Sequence, residues 1–161
     1  VGLYPASTPA VEAYSTIVSL SADTYYSLIT TGVSTNSNLS SQLLVVERRP
    51  QGTLTNITFM NAANIPVVAT DGSTTSLRLS LYILKAGESL SGKLPSATSI
   101  SYLGNRTFTA PATPSILVAT EAGTDKIVAG PLPIVLQEKQ SILVAVTEAV
   151  GGGRPLAFSV K

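Results

Sequence analysis

Cysteine, histidine and tryptophan are all missing from this 161-residue chain, and charge is scarce. Without cysteine there is no disulfide, and no thiolate to hold zinc or attack a carbonyl. Without histidine the commonest general base is gone, and a Ser-His-Asp triad cannot be assembled. Asp, Glu, Lys and Arg make up 12% of the residues, about half the roughly 25% of an average globular protein. The net charge is +1 and the longest basic run is Arg48-Arg49. A nucleic-acid surface needs a basic patch interleaved with aromatics, so no nucleic-acid partner is read. No apolar run approaches the roughly 20 residues of a membrane-spanning helix, so no membrane span is expected.

What the chain has in quantity is Ser, Thr, Ala, Val and Leu, with a mean hydropathy of +0.34. A soluble monomer usually carries more surface charge. Either hydroxyl side chains clothe the exterior, or partners cover part of it. At 16.6 kDa the length fits one domain whose core needs no metal or disulfide staple. The chain begins at Val1 rather than Met, which fits initiator removal and leader cleavage alike.

The polar residues form no chemical constellation. The nine acids, Glu12, Asp23, Glu47, Asp71, Glu88, Glu121, Asp125, Glu138 and Glu148, stand mostly at turns and strand ends, where solvated charges belong. Nothing pairs them as a glycosidase would. Asp71-Gly72 and Asp125 are isolated, so at most one weak calcium site is left open. Gly87-Glu-Ser-Leu-Ser-Gly92-Lys93 matches a phosphate-loop pattern, but Leu94 and Pro95 stand where Ser or Thr and a helix are required. No catalytic residue, metal ligand or cofactor is expected. Asn38, Asn56 and Asn105 each open an N-x-Ser/Thr sequon and are candidate N-glycosylation sites. The six tyrosines, Tyr4, Tyr14, Tyr25, Tyr26, Tyr82 and Tyr102, fit core and strand-edge roles better than a sugar-stacking platform, which tryptophan usually supplies.

Periodicity reads as β throughout. Residues 1–13 carry Pro5 and Pro9 among small residues and are expected to form an extended N-terminal arm. Leu3, Tyr4 and Val11 make it too apolar for a solvated tail, so they are the candidate assembly residues. Residues 14–161 are expected to form one sandwich domain. Tyr14–Leu20 and Thr24–Thr31 read as a first hairpin, and Gln42–Glu47 as a short strand. Thr53–Met60 is a strand whose broken alternation suggests a bulge. In Ser76–Leu84, Leu77, Leu79, Leu81 and Ile83 alternate with Arg78, Ser80 and Tyr82. Ser96–Ser99 admits one helical turn. Short strands follow at Thr107–Thr109, Ser115–Thr120 and Lys126–Ala129. Leu132–Glu148 holds two β-branched runs around Gln137–Gln140 and reads as a central hairpin. Leu156, Phe158 and Val160 close the chain. Ser115–Ala122 and Ser141–Ala149 echo one another, which two strands of similar burial would explain. Nine or ten strands at this spacing predict an all-β, jelly-roll-like antiparallel sandwich.

The segments TNITFMN, LSLYILKAGESL and PLPIVLQEKQSILVAV, with a short final strand, resemble in texture the small β-sandwich proteins of tailed-phage virions. That resemblance to decoration, cement and fibre-base proteins implies a non-enzymatic subunit of a virion surface. Its partners would be copies of itself or a major capsid protein. The chain is also similar in style to secreted filament subunits, whose N-terminal arm completes a neighbour's sheet. That likeness implies an extracellular, pilus-like role, towards which Val1 and the sequons lean. A carbohydrate-binding or adhesion module, partnered by surface glycans, is a third reading.

Overall fold

The computed structural model describes residues 2–3, 14–31, 39–46, 52–148 and 154–161. It is all-β, and the chain divides into two compact units, Val1–Val46 and Glu47–Lys161. The expected boundary between residues 13 and 14 is therefore not where the compact units part.

In the first unit, β1 (Gly2–Leu3) pairs antiparallel with β2 (Tyr14–Ser15), and β3 (Tyr26–Thr31) pairs with β4 (Ser40–Val45). The expected hairpin between Tyr14–Leu20 and Thr24–Thr31 is not formed. Strand geometry at its start stops at Ser15, Asp23 turns the chain with φ +56°, and β3 turns to the QLLV run instead. The Val46 N–H donates to the Tyr25 carbonyl and extends that pairing.

The second unit is a sandwich. Its first sheet has the order β10-β5-β13-β14, from β5 (Leu54–Asn61), β10 (Asn105–Pro111), β13 (Ser141–Thr147) and β14 (Ala157–Val160). Its second has the order β12-β11-β8-β9, from β8 (Leu79–Leu84), β9 (Ala97–Ile100), β11 (Pro114–Glu121) and β12 (Ile127–Val135). A small hairpin of β6 (Pro66–Val68) and β7 (Thr74–Ser76) completes it. Among the described residues every pairing but one is antiparallel; β13 runs parallel to β5, after the chain has passed through the whole second sheet.

One core lies between the two sheets. Ile57, Phe59, Val144 and Val146 come from the first sheet, and Leu79, Leu81, Leu117 and Ala119 from the second. Each of these side chains except Ala119 contributes on the order of 2 kcal/mol by leaving water. Alanines at 97, 110, 119 and 129 sit among them, so large side chains meet small ones. The reading of Ser76–Leu84 holds: Leu77, Leu79 and Leu81 are in the core, with Ile83 packed against it. Tyr82 and Leu84 form a small cluster with Val118 on the other face. The irregular alternation of β5 has a different cause from a bulge. Its register with both neighbours is unbroken, and Thr55 to Asn61 are buried on both faces, so either parity must be apolar or bonded.

Two further expectations are corrected. Leu132–Glu148 is no hairpin, because β12 belongs to the second sheet and β13 to the first. Its polar link is a crossing between layers. Leu136 is buried at 2% exposure, and Lys139 takes φ +57°. The link then docks on β5: the Asn56 N–H donates to the Gln140 carbonyl at 2.8 Å, the Lys139 N–H to Leu54, and the Thr55 hydroxyl to Gln137. Ser96–Ser99 is not helical. Ser96 precedes, and Ala97–Ser99 belong to, the short edge strand β9, in which Ser99 takes φ +55°.

Candidate functional site

The first sheet ends on β10 at one side, and most residues of this edge strand are exposed. The sequence NRTFTAP alternates polar with apolar, which suits a strand with one face on the core. Phe108 packs against the core and Ala110 lies within it. Asn105, Arg106, Thr107, Thr109 and Pro111 are exposed. All seven residues pair with β5 in one register, from Asn105 opposite Met60 to Pro111 opposite Leu54. The Thr107 and Thr58 hydroxyls, 2.9 Å apart, hold the pair together on the outward face.

The direction of the backbone groups follows from two bonds. The Asn61 N–H donates to the Gly104 carbonyl, so that opposed pair is a bonded one. Antiparallel ladders alternate bonded with unbonded pairs. Arg106, Phe108 and Ala110 therefore point their backbone groups at β5. Asn105, Thr107 and Thr109 point theirs away from the sheet. The Asn56 N–H, turned from β10 towards Gln140, agrees with that phase. Pro111 falls on the outward side, where its missing N–H costs β5 nothing. Among the described residues no strand pairs on the far side of β10.

The other long edge is blunted. β12 carries Pro131 and Pro133 and a register shift opposite Leu117 and Ala119. The Leu136 N–H donates to Thr113, which puts Pro133 on the outward phase and strips that edge of a donor. β9 is short and shifts register against β8, and β14 has only four residues. Near the start of β11, Ala86, Pro114, Ile116, Pro133, Ile134 and Val135 line an open apolar groove of about 350 Å³.

The candidate residues read from the sequence are scattered. Leu3 lies in β1, where its backbone faces Tyr14 of the same chain. Tyr4, Val11 and Asn38 lie outside the described residues. Asn56 is 5% exposed in mid-sheet, a position without room for a glycan. Asn105 is exposed at the open end of β10. Tyr82 is buried in its small cluster, and the Tyr14 hydroxyl bonds to Ser41.

The acids serve the turns. Asp71 accepts the Ser73 hydroxyl and N–H in the β6–β7 turn, which holds its carboxyl below the usual range. Glu88 accepts the Lys93 ammonium at 2.8 Å and the Lys85 N–H, and its pKa is lowered, chiefly by Lys93. The lysine of the phosphate-loop match is thus clasped by its own loop. Glu121 binds Lys126 and Arg154, both at 2.8 Å, and Lys126 gives the larger share of its lowered pKa. Among the described residues, no three His, Cys, Asp or Glu side chains gather as metal ligands would, and no helix is long and apolar enough to cross a membrane.

Sequence reasoning marked Asn105 as a sequon and Thr107–Thr109 as a short strand, assigned neither to an edge, and read Asn61 as the start of a loop. The signal for β10 was the Thr-Phe-Thr alternation closed by a proline. Against protein-family models, curated proteins and solved structures the chain has no match.

Proposed function

We propose that this protein is a non-enzymatic structural subunit, which assembles with copies of itself or decorates a larger symmetric assembly. The observation that carries this reading is the β10 edge. Over seven residues in unbroken register with β5, it turns the backbone groups of Asn105, Thr107 and Thr109 away from the sheet, whereas the other long edge carries two prolines. An open edge is a template for pairing unless something covers it. The apolar groove at the start of β11 and the low charge of the chain support the same reading.

The virion-surface form of this proposal, with a major capsid protein as further partner, rests on the resemblance of the strand texture to phage decoration and cement proteins. The filament form uses the same edge differently. There a neighbour's arm, with Leu3, Tyr4 and Val11, would add a strand to it, and a contact repeated head to tail would not close.

Light scattering with negative-stain microscopy on residues 1–161, and on the chain without residues 1–13, tests the proposal. Defined oligomers or filaments are expected from the full chain. Closed oligomers favour the virion form, and filaments lost with the arm favour strand donation. A monomer at all concentrations, with no binding to a capsid surface, would overturn it.

A further inference from the structure

We infer that β10 pairs antiparallel with β10 of a second copy about a two-fold axis through Phe108, joining two first sheets into one. This inference rests on the assembly reading above and names its contact.

Self-complementarity carries the argument. With the axis at Phe108, each Thr107 faces the other copy's Thr109, Arg106 faces Ala110, and Asn105 faces Pro111. The residues whose N–H and C=O point outward are the ones such a dimer needs to bond. Thr107 and Thr109 exchange both bonds with their opposites, and the Asn105 N–H meets the Pro111 carbonyl. Phe108, already bonded to β5, falls on the axis as an unbonded pair, where strands approach most closely. No like charges meet, because Arg106 is the one charged residue of the strand and faces alanine. The Phe108 rings lie on the core-facing side, so each extends the apolar layer of the other at the sandwich rim. The isologous contact closes on itself, as a two-fold interface does.

The chain has no cysteine, so single cysteines report this register directly. Phe108→Cys would bring two thiols into an unbonded cross-strand pair with Cα atoms about 4.5 Å apart, within disulfide reach. Thr109→Cys would place its thiols two residues out of step, beyond the roughly 7 Å Cα limit. A dimeric wild type, a covalent dimer from oxidised Phe108→Cys and little from Thr109→Cys are expected. Thr109→Pro tests the same contact without touching a core side chain. It removes an N–H that β5 does not use, so the melting temperature should stay within a few degrees. Association should weaken roughly tenfold or more, since two ladder bonds are lost and the ring meets a partner carbonyl. Wild-type oligomers that persist in Thr109→Pro, or cross-link at 109 and not at 108, would overturn the β10 contact and leave assembly by another surface standing. A wild type that is monomeric throughout would overturn the β10 contact, and one that also fails to bind a capsid surface would overturn the assembly reading together with it.

Discussion

Replacing Asn61 with leucine removes a polar tie at the heart of the sandwich while nearly conserving volume. Asn61 ends β5 and is fully buried. Its Nδ2 donates to the Leu77 carbonyl at 2.8 Å and to the Ile100 carbonyl at 3.1 Å. Its Oδ1 accepts the Ala63 N–H at 3.1 Å. One side chain thus fastens the first sheet to the segment that leads into β8 and to the end of β9 in the second sheet. Leucine would leave three backbone groups without this partner. Each buried group left unpaired costs about 1–3 kcal/mol. Carbonyls keep a second lone pair for other donors, so the lower half of the range applies and the loss should be about 3–5 kcal/mol. For a domain of this size that lowers Tm by roughly 10–20 °C. Urea and thermal unfolding followed by far-UV circular dichroism measure it, with Asn105→Leu on the exposed strand as control. A loss below about 1 kcal/mol, with the urea m-value unchanged, would refute the tie. Asn61→Asp sharpens the sign. It sets carboxylate oxygens against two carbonyls, so it should destabilise at neutral pH and recover in part in acid, where the protonated carboxyl donates one bond.

Gly130→Ala should cost about 2–4 kcal/mol in urea unfolding, because the position has φ +89° and a new Cβ would lie 2.6 Å from the Leu117 carbonyl oxygen and 3.0 Å from the Phe158 ring. Glu121→Gln should cost at most about 1 kcal/mol, and less at high salt, since both of its ion pairs are partly solvated. Its carboxyl pKa is lowered in the folded state, so its contribution is full above the ordinary glutamate value of about 4.3 and disappears as pH falls through the lowered one. The gap between wild type and variant should therefore close in acid, and a gap that widened there would contradict the pairing. The oligomer states of the full chain and of Phe108→Cys and Thr109→Pro give the remaining tests.

Fold class was legible because several strands have one buried face. Leu77, Leu79 and Leu81 alternate against Arg78 and Ser80, and the structure puts the leucines in the core. Where burial covers both faces, the period disappears. β5 looked irregular for that reason, and Asn61 looked like the start of a loop although its side chain makes three bonds within the core. Connectivity was less legible still. A four-residue polar link between β-branched runs fits a hairpin locally. Whether it turns back or crosses depends on Leu136 finding the core and on Gln137 and Gln140 finding β5, contacts that no local pattern encodes. The candidate site shared that fate. Thr107, Phe108 and Thr109 are visible as a short strand, but an edge is defined by the neighbour a strand lacks.

The internal echo shows how the chain separates these two kinds of information. Ser115–Ala122 and Ser141–Ala149 supply β11 and β13, each an inner strand of one of the two facing sheets. The aligned residues nevertheless point opposite ways. In β11, Leu117 and Ala119 enter the core while Val118 joins Tyr82 on the other face. In β13, Ile142 and Val144, counterparts of Ile116 and Val118, enter the core. A run apolar on both faces therefore specifies an inner strand without specifying which face turns inward. A one-residue slip exchanges the faces, so phase must come from the neighbours. The bulge of β12 at Ala129–Leu132 fixes it beside β11, and the bonds from Asn56 and Lys139 fix it at the start of β13. Inner strands of this kind can be flanked on either side indefinitely, and the flanking strands decide where a sheet stops. β12 stops the second sheet with two prolines. β10 has threonines and one arginine, and its only proline lies at the far end of the ladder. Among the described residues the first sheet thus ends at β10 without a chemical block, and the proposed pairing sets a second copy of β10 against that open side.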